Sequence, residues 1–245
     1  MRTFLCYDES MKILVIGGSH GVGSKIVERA LELGHTVTVF SRNPARLELE
    51  HANLRRHPGN VLDVQSVRKA VSGHQVVVCA LGLPTRIAIG PPFAKRSYVL
   101  SGGTKNIVQA MSAEGVKQFM CVTAIGTKES AGQCTLFARV SLRLGLRWLF
   151  IEKDCQEEII KKSKLDWIII RPTALTNGKE RGGKETNVGE NLRSGILTQV
   201  SRADVAAVML SMMGKPKNYK KAWVISYDAK FGDSVRWLAG YFGKG

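Results

Sequence analysis

The chain has 245 residues, 44% hydrophobic and 23% charged, enough to bury a sizeable core and ordinary for a globular protein. No apolar run reaches the roughly 18 residues of a transmembrane helix, and the first ten residues, with Asp8 and Glu9, do not read as a secretory signal. The net charge of +16 favours anionic partners. It exceeds what a dinucleotide phosphate would use, and the basic residues are spread along the chain.

Without a helix-turn-helix, a zinc finger or a basic patch interleaved with aromatics, no specific nucleic acid is expected. Cys6, Cys79, Cys121, Cys134 and Cys155 are scattered, with no CxxC pair and no metal-ligand spacing. They read as free, buried thiols in a reducing, cytoplasmic compartment, and no metal is expected. Residues 1–10 are expected to be a disordered extension, followed by one domain over 11–245 with a small substrate-side region at its C-terminal end.

From the N-terminus, residues 12–17 form a β-branched apolar run, residues 24–33 have helical spacing and end at Gly34, and residues 36–40 form a second strand. Helices are expected at 64–71, 103–113 and about 135–162, and strands at 75–80, 118–123 and 167–170. Strands alternating with helices of about ten residues predict a single-domain α/β fold, a Rossmann-type, doubly wound parallel sheet. The polar, glycine-rich stretch 177–190 reads as a mobile loop and a candidate lid. Ser201 and Asp204 resemble a capping box and predict a helix over 203–213.

The strongest motif is Gly17-Gly18-Ser19-His20-Gly21-Val22-Gly23, between a strand and a helix. Gly17 permits the tight turn. Gly21 and Gly23 let the backbone approach a pyrophosphate and the helix pack on the strand, so that helix N-terminal amides face the phosphates. Ser19, His20 and Val22 belong to the same turn, His20 for its backbone. About twenty residues on, an NAD-selective site wants an acid for the ribose 2′-hydroxyl. Here the strand ends Phe40-Ser41-Arg42, and Arg46 follows. A guanidinium can pair bidentately with a 2′-phosphate, so NADPH is expected to be preferred over NADH, unless both arginines are merely solvated. None of His20, His35, His51, His57 or His74 pairs with a Ser or Cys as a triad would.

With Gly59-Asn60-Val61-Leu62-Asp63, Cys79-Ala80-Leu81-Gly82, Gly103-Thr104-Lys105-Asn106-Ile107-Val108 and the segment 167–172, these motifs resemble the atypical short-chain dehydrogenases. The likeness is greatest to the NAD(P)H-binding NmrA-like and biliverdin reductase B (flavin reductase)-like members, and it covers residues 11–213. The resemblance implies that Asn60 and Val61 contact adenine, with Asn60 standing where many members have Asp. It places Ala80, Leu81 and Gly82 along the ribose and pyrophosphate, Thr123 near the nicotinamide, and Pro172 and Leu175 beside its carboxamide. Such dehydrogenases usually carry Tyr-x-x-x-Lys, the Tyr as general acid. Lys153 fits the lysine, where it would hold the ribose, unless it is a plain surface lysine. The Tyr position is Leu149, which cannot transfer a proton, as biliverdin reductase B also lacks the Tyr.

Thr123 and Lys153 are therefore the candidate catalytic pair of an NADPH-dependent reductase with a small conjugated acceptor: a flavin, quinone or tetrapyrrole. The alternative is a non-catalytic, NADP(H)-binding redox sensor of the NmrA-like type. Arg139, Arg143 and Arg147, four apart, form a basic stripe, either a solvated face or a contact for an anionic substrate or surface. The protein is expected to be a monomer or a dimer.

Overall fold

The computed structural model describes residues 10–83, 97–134, 146–183, 185–193 and 198–227. An eight-stranded sheet runs β3 (Leu54–Pro58), β2 (Thr36–Ser41), β1 (Lys12–Ile16), β4 (Val76–Cys79), β5 (Gln118–Val122), β6 (Asp166–Pro172), β10 (Lys221–Tyr227) and β8 (Thr186–Gly189). Every neighbouring pair is parallel except β10 with β8. The first six strands have the 3-2-1-4-5-6 order of a dinucleotide-binding sheet, whose crevice opens between β1 and β4 at their carboxyl ends.

The central strands are apolar throughout because both faces are covered. Ile13, Leu14, Val15, Val76, Val77, Val78, Ile168, Ile169 and Ile170 are fully or almost fully buried. On one face α1 (Gly21–Glu32) and α5 (Arg202–Met212) pack together over Ile13, Val15, Val37, Val39 and Ile170. On the other face α2 (Val64–Val71), α3 (Val99–Ala113) and α4 (Arg147–Lys162) cover Leu14, Phe40, Val77, Phe119 and Ile169. The doubly wound α/β architecture is as expected. Among the described residues no helix is long and apolar enough to cross a membrane.

Several elements differ from expectation. β3 went unseen because Leu-Arg-Arg-His-Pro carries no apolar alternation, and as an edge strand it needs little. β10 completes the core with Val224 and Ile225 beyond the last expected helix. The loop 177–190 contains β8, antiparallel to β10, so its second half is sheet. A short parallel pair, β7 (Ala174–Thr176) with β9 (Gln199–Ser201), lies between β6 and α5 in the chain. The expected helix at 135–162 begins at Arg147 among the described residues; Arg139 and Arg143 lie outside them, as do residues 1–9. Arg147 is exposed and its guanidinium lies 5.5 Å from the Trp148 ring centroid.

Candidate cofactor and acceptor site

β1 ends in a turn that only glycine can make. Gly17 has φ +82°, and a Cβ there would lie 2.9 Å from the Ala80 carbonyl oxygen. A Cβ on Gly23 would fall 2.2 Å from the Gly17 carbonyl oxygen. Both contacts are with backbone, so neither can relax cheaply. Gly21, at φ +64°, differs: among the described residues its Cβ would meet nothing but Arg202 Nε, at 4.0 Å. Space is thus kept at the first residue of α1. The His20 side chain makes no capping bond, and no acid stands in the first turn of α1. The helix therefore presents its N-terminal amides, with the positive end of its dipole, to that space. Ser19 and Val22 are buried beneath the turn.

At the end of β2 the Ser41 Oγ is buried and has no partner among the described residues. Such an orphan costs stability unless a ligand or water satisfies it. Arg42 and Arg46 are exposed beside it and make no ion pair among the described residues. Gly59 follows β3; a Cβ there would collide with the Phe40 ring at 2.3 Å. Asn60 is exposed, and its side-chain oxygen accepts from the Leu62 amide at 3.1 Å. Val61 is buried, and its carbonyl accepts from Asn106 Nδ2 at 3.0 Å. Ala80, Leu81 and Gly82 follow β4, across from Gly17. The open space at Gly21, the uncapped helix and the orphaned Ser41 hydroxyl lie along one edge of the sheet, and they fit a dinucleotide laid across it.

On the far side of the crevice the candidate catalytic groups face inward. Lys153 is buried, which overturns its reading as a surface lysine. Its ammonium donates to the Val122 carbonyl at 2.9 Å, the Leu81 carbonyl at 3.2 Å and Gln156 Oε1 at 3.1 Å. Burial lowers its pKa, opposed by neighbouring Cys121, Cys79 and Glu157. Lys153 thus ties the 80–82 segment to β5. Leu149 sits one turn earlier on α4. The Thr123 hydroxyl is buried and donates to Glu157 Oε1 at 2.7 Å.

Glu157 also takes Arg171 Nε at 3.0 Å and NH2 at 2.6 Å, and Thr127 Oγ1 at 3.3 Å. Arg171 is 2% and Glu157 4% exposed, so this pair is withdrawn from water. Glu129 bridges Arg171 and Lys161. Burial, with Arg171 nearby, lowers the Lys161 pKa to about 8. The loop after β5 is thereby clamped to α4 and β6. Pro172 closes β6, and Leu175 lies in β7 beyond it.

A second buried acid organises the loop expected to be a lid. The Asp204 carboxylate accepts from the Arg181 amide at 3.0 Å, the Gly182 amide at 2.9 Å, Ser201 Oγ at 2.7 Å, Thr186 Oγ1 at 3.3 Å and the Tyr227 hydroxyl. The Ser201 hydroxyl caps α5 by accepting from the Asp204 amide at 2.9 Å, as the sequence suggested. The expected return bond is absent, because the Ser201 amide donates to the Tyr227 hydroxyl instead. Sequence reasoning missed Glu157, Arg171, Arg202 and Tyr227. Glu157 had one available signal: it stands four residues after Lys153 on the same helical face.

A family model described as NAD(P)H-binding matches residues 17–216. The chain belongs to this NAD(P)H-binding family. Its cofactor class is therefore a nicotinamide dinucleotide, and the resemblance to atypical short-chain dehydrogenases stands. An uncharacterized chloroplastic protein of Arabidopsis thaliana is 28% identical over 215 residues, which is 82% of this chain and 72% of that protein. The 3-beta-hydroxysteroid dehydrogenase of Mycolicibacterium neoaurum is 32% identical over 126 residues, 50% of this chain but only 34% of that enzyme.

Among solved structures, a short-chain dehydrogenase/reductase of Veillonella parvula in complex with NADP matches with TM-score 0.73 and 15% identity, over 92% of this chain and 98% of that one. The anaerobilin reductase ChuY of Escherichia coli O157:H7 matches with TM-score 0.70 and 19% identity, over 89% and 98%. These two share the fold.

Proposed function

We propose that the protein is an NADPH-dependent reductase that delivers hydride to a conjugated acceptor such as a flavin, quinone or linear tetrapyrrole. The observation that carries this reading is the apolar residue at the position where the family's general acid would stand, with no free proton donor beside it among the described residues. Leu149 holds that position, and the ionisable neighbours Lys153 and Glu157 are both engaged within the protein. A simple ketone that accepts hydride becomes an alkoxide and needs a proton at once. A conjugated acceptor spreads the charge and takes its proton from water. The nicotinamide cofactor supplies the hydride; Lys153 orders the segment beneath it, and Pro172 and Leu175 line the carboxamide side. Arg42 and Arg46, without an ion pair among the described residues at the end of β2, support NADPH over NADH. Anaerobilin reduction by ChuY, a protein of the same fold, agrees with reductive chemistry on a conjugated acceptor.

The inward-facing Lys153, with an internal acceptor for each of its three protons, favours a second reading, an NADP(H)-binding sensor without turnover. A steady-state screen of NADPH oxidation against FMN, biliverdin, a soluble quinone and simple ketones separates the two. Turnover with the conjugated acceptors and little with ketones is expected. Ketone rates equal to the flavin rate would refute the delocalised-acceptor argument. Tight NADPH binding without turnover on any acceptor would establish the sensor.

A further inference from the structure

Arg202 is the first residue of α5, and its guanidinium reaches the start of α1. Its Nε lies 4.0 Å from where a Gly21 Cβ would stand, and its NH1 donates to Asn177 Oδ1 at 2.7 Å. Among the described residues no carboxylate pairs with it. It is half-buried, and burial lowers its pKa. This is a poor place for an unpaired cation. It sits at the positive end of its own helix and at the positive end of α1, and both dipoles repel it. Part of its hydration is gone, with only a neutral amide in return. An anion between α1 and α5 would reverse each of these terms at once, and among the described residues no side-chain atom other than Arg202 Nε comes within 4 Å of the Gly21 Cβ position.

We propose that Arg202 is a pyrophosphate ligand of the bound dinucleotide, closing the phosphate turn from the opposite side and tying it through Asn177 to the acceptor-side loop. The assignment rests on the dinucleotide reading of the site. It differs in kind from the role of Arg42 and Arg46. Those residues stand at the end of β2, where only the 2′-phosphate distinguishes the two cofactors, whereas the pyrophosphate is common to NADPH and NADH.

The test is calorimetric titration of the full chain and its variants with NADPH and with NADH. Arg202→Ala should weaken both cofactors by the same factor, about tenfold to a hundredfold for a lost charged hydrogen bond, leaving their ratio unchanged. Arg202→Gln retains a donor for Asn177 but no charge, and should lose nearly as much; Arg202→Lys should recover part of the loss. Unchanged affinities in Arg202→Ala overturn the proposal. So does full affinity in Arg202→Gln, which would reduce Arg202 to a tie for the loop, and so does a changed NADPH-to-NADH ratio, which would place it at the 2′-phosphate. If the unmutated chain binds neither cofactor, the dinucleotide reading itself falls, an outcome distinct from the failure of Arg202 alone.

Discussion

On the side of the crevice built by β1, α1 and β2, the geometry is set by side chains that are missing. Gly23 has no room for a methyl group against the Gly17 carbonyl, and Gly17 has none against Ala80. On the side built by β5, α4 and β6, it is set by charged side chains that are buried: Glu157 holds Arg171, Thr123 and Thr127, and Lys153 holds the Val122 carbonyl at the end of β5 and the Leu81 carbonyl just after β4. The first side is rigid by steric exclusion and exposes backbone dipoles. The second is rigid by paired charge, with Lys153, Glu157 and Arg171 all buried and engaged within the protein. On the proposed reading, such a site would bind phosphate by its main chain and give the reacting end of the ligand shape rather than acid–base partners.

The comparison breaks most visibly on the charged side. Glu157→Leu removes the carboxylate and leaves the Arg171 guanidinium buried without its main counter-ion. Breaking such a pair costs about 3–5 kcal/mol, which denaturant unfolding will read. Replacing both partners with apolar groups, as Glu157→Leu with Arg171→Met, should recover most of that loss, since a buried pair often contributes little net stability. A double variant as unstable as the single one would mean that the loop after β5 depends on the Thr123 and Thr127 hydrogen bonds instead.

The steric side should break differently. Gly23→Ala forces a Cβ into the Gly17 carbonyl, so the turn must move; a cost of about 2–3 kcal/mol in stability is expected, with NADPH affinity reduced about a hundredfold or more. Gly21→Val should reduce binding as severely while sparing the fold more, because its Cβ meets open space and the strain lies only in the positive φ. Equal NADPH affinity in Gly21→Val and the unmutated protein would show that the phosphate lies elsewhere.

These two sides were not equally legible in the sequence. Glycine demands are local, so Gly17, Gly21 and Gly23 announced the turn, and the apolar runs announced β1, β2, β4, β5 and β6. The edge strand β3 escaped because Arg55, Arg56 and His57 give it no apolar period. α4 was hard to read because Glu152, Lys153, Gln156 and Glu157 make up much of its buried face, so burial on that helix does not follow hydrophobicity. Arg202 lies 181 positions after Gly21 in the numbering, and nothing local marks their proximity.

A smaller effect tests the adenosine end alone. Arg42→Ala should lower NADPH affinity about tenfold, the contribution of one charged hydrogen bond of about 1.5 kcal/mol, and should leave NADH unaffected. Calorimetry with both cofactors reads the ratio. If Arg42→Ala shifts NADPH and NADH together, the side chain acts on the strand end rather than on the 2′-phosphate.

The smallest effect concerns the loop that the sequence presented as a mobile lid. Burial would raise the Asp204 pKa, but the hydrogen bonds of Tyr227, Ser201 and the Arg181 and Gly182 amides outweigh it, and the net shift is downward from 3.8. A carboxylate lowered in this way contributes stability that is fully present above pH 3.8 and is lost as the pH falls through the lower folded value. Tyr227 behaves oppositely: burial and the Asp204 contact raise it above 10.0, so its contribution is present below that pH and is lost on the alkaline side. Hydrogen-exchange protection of the Arg181 and Gly182 amides should therefore hold a plateau through neutral pH and fall at both extremes, ahead of the β1 and β4 amides. Asp204→Asn should lower that plateau and remove the acid limb, since an amide does not titrate. An unaltered acid limb in Asp204→Asn would mean that the 181–186 segment is held by its strand pairing with β10, and that the buried carboxylate is a helix cap only.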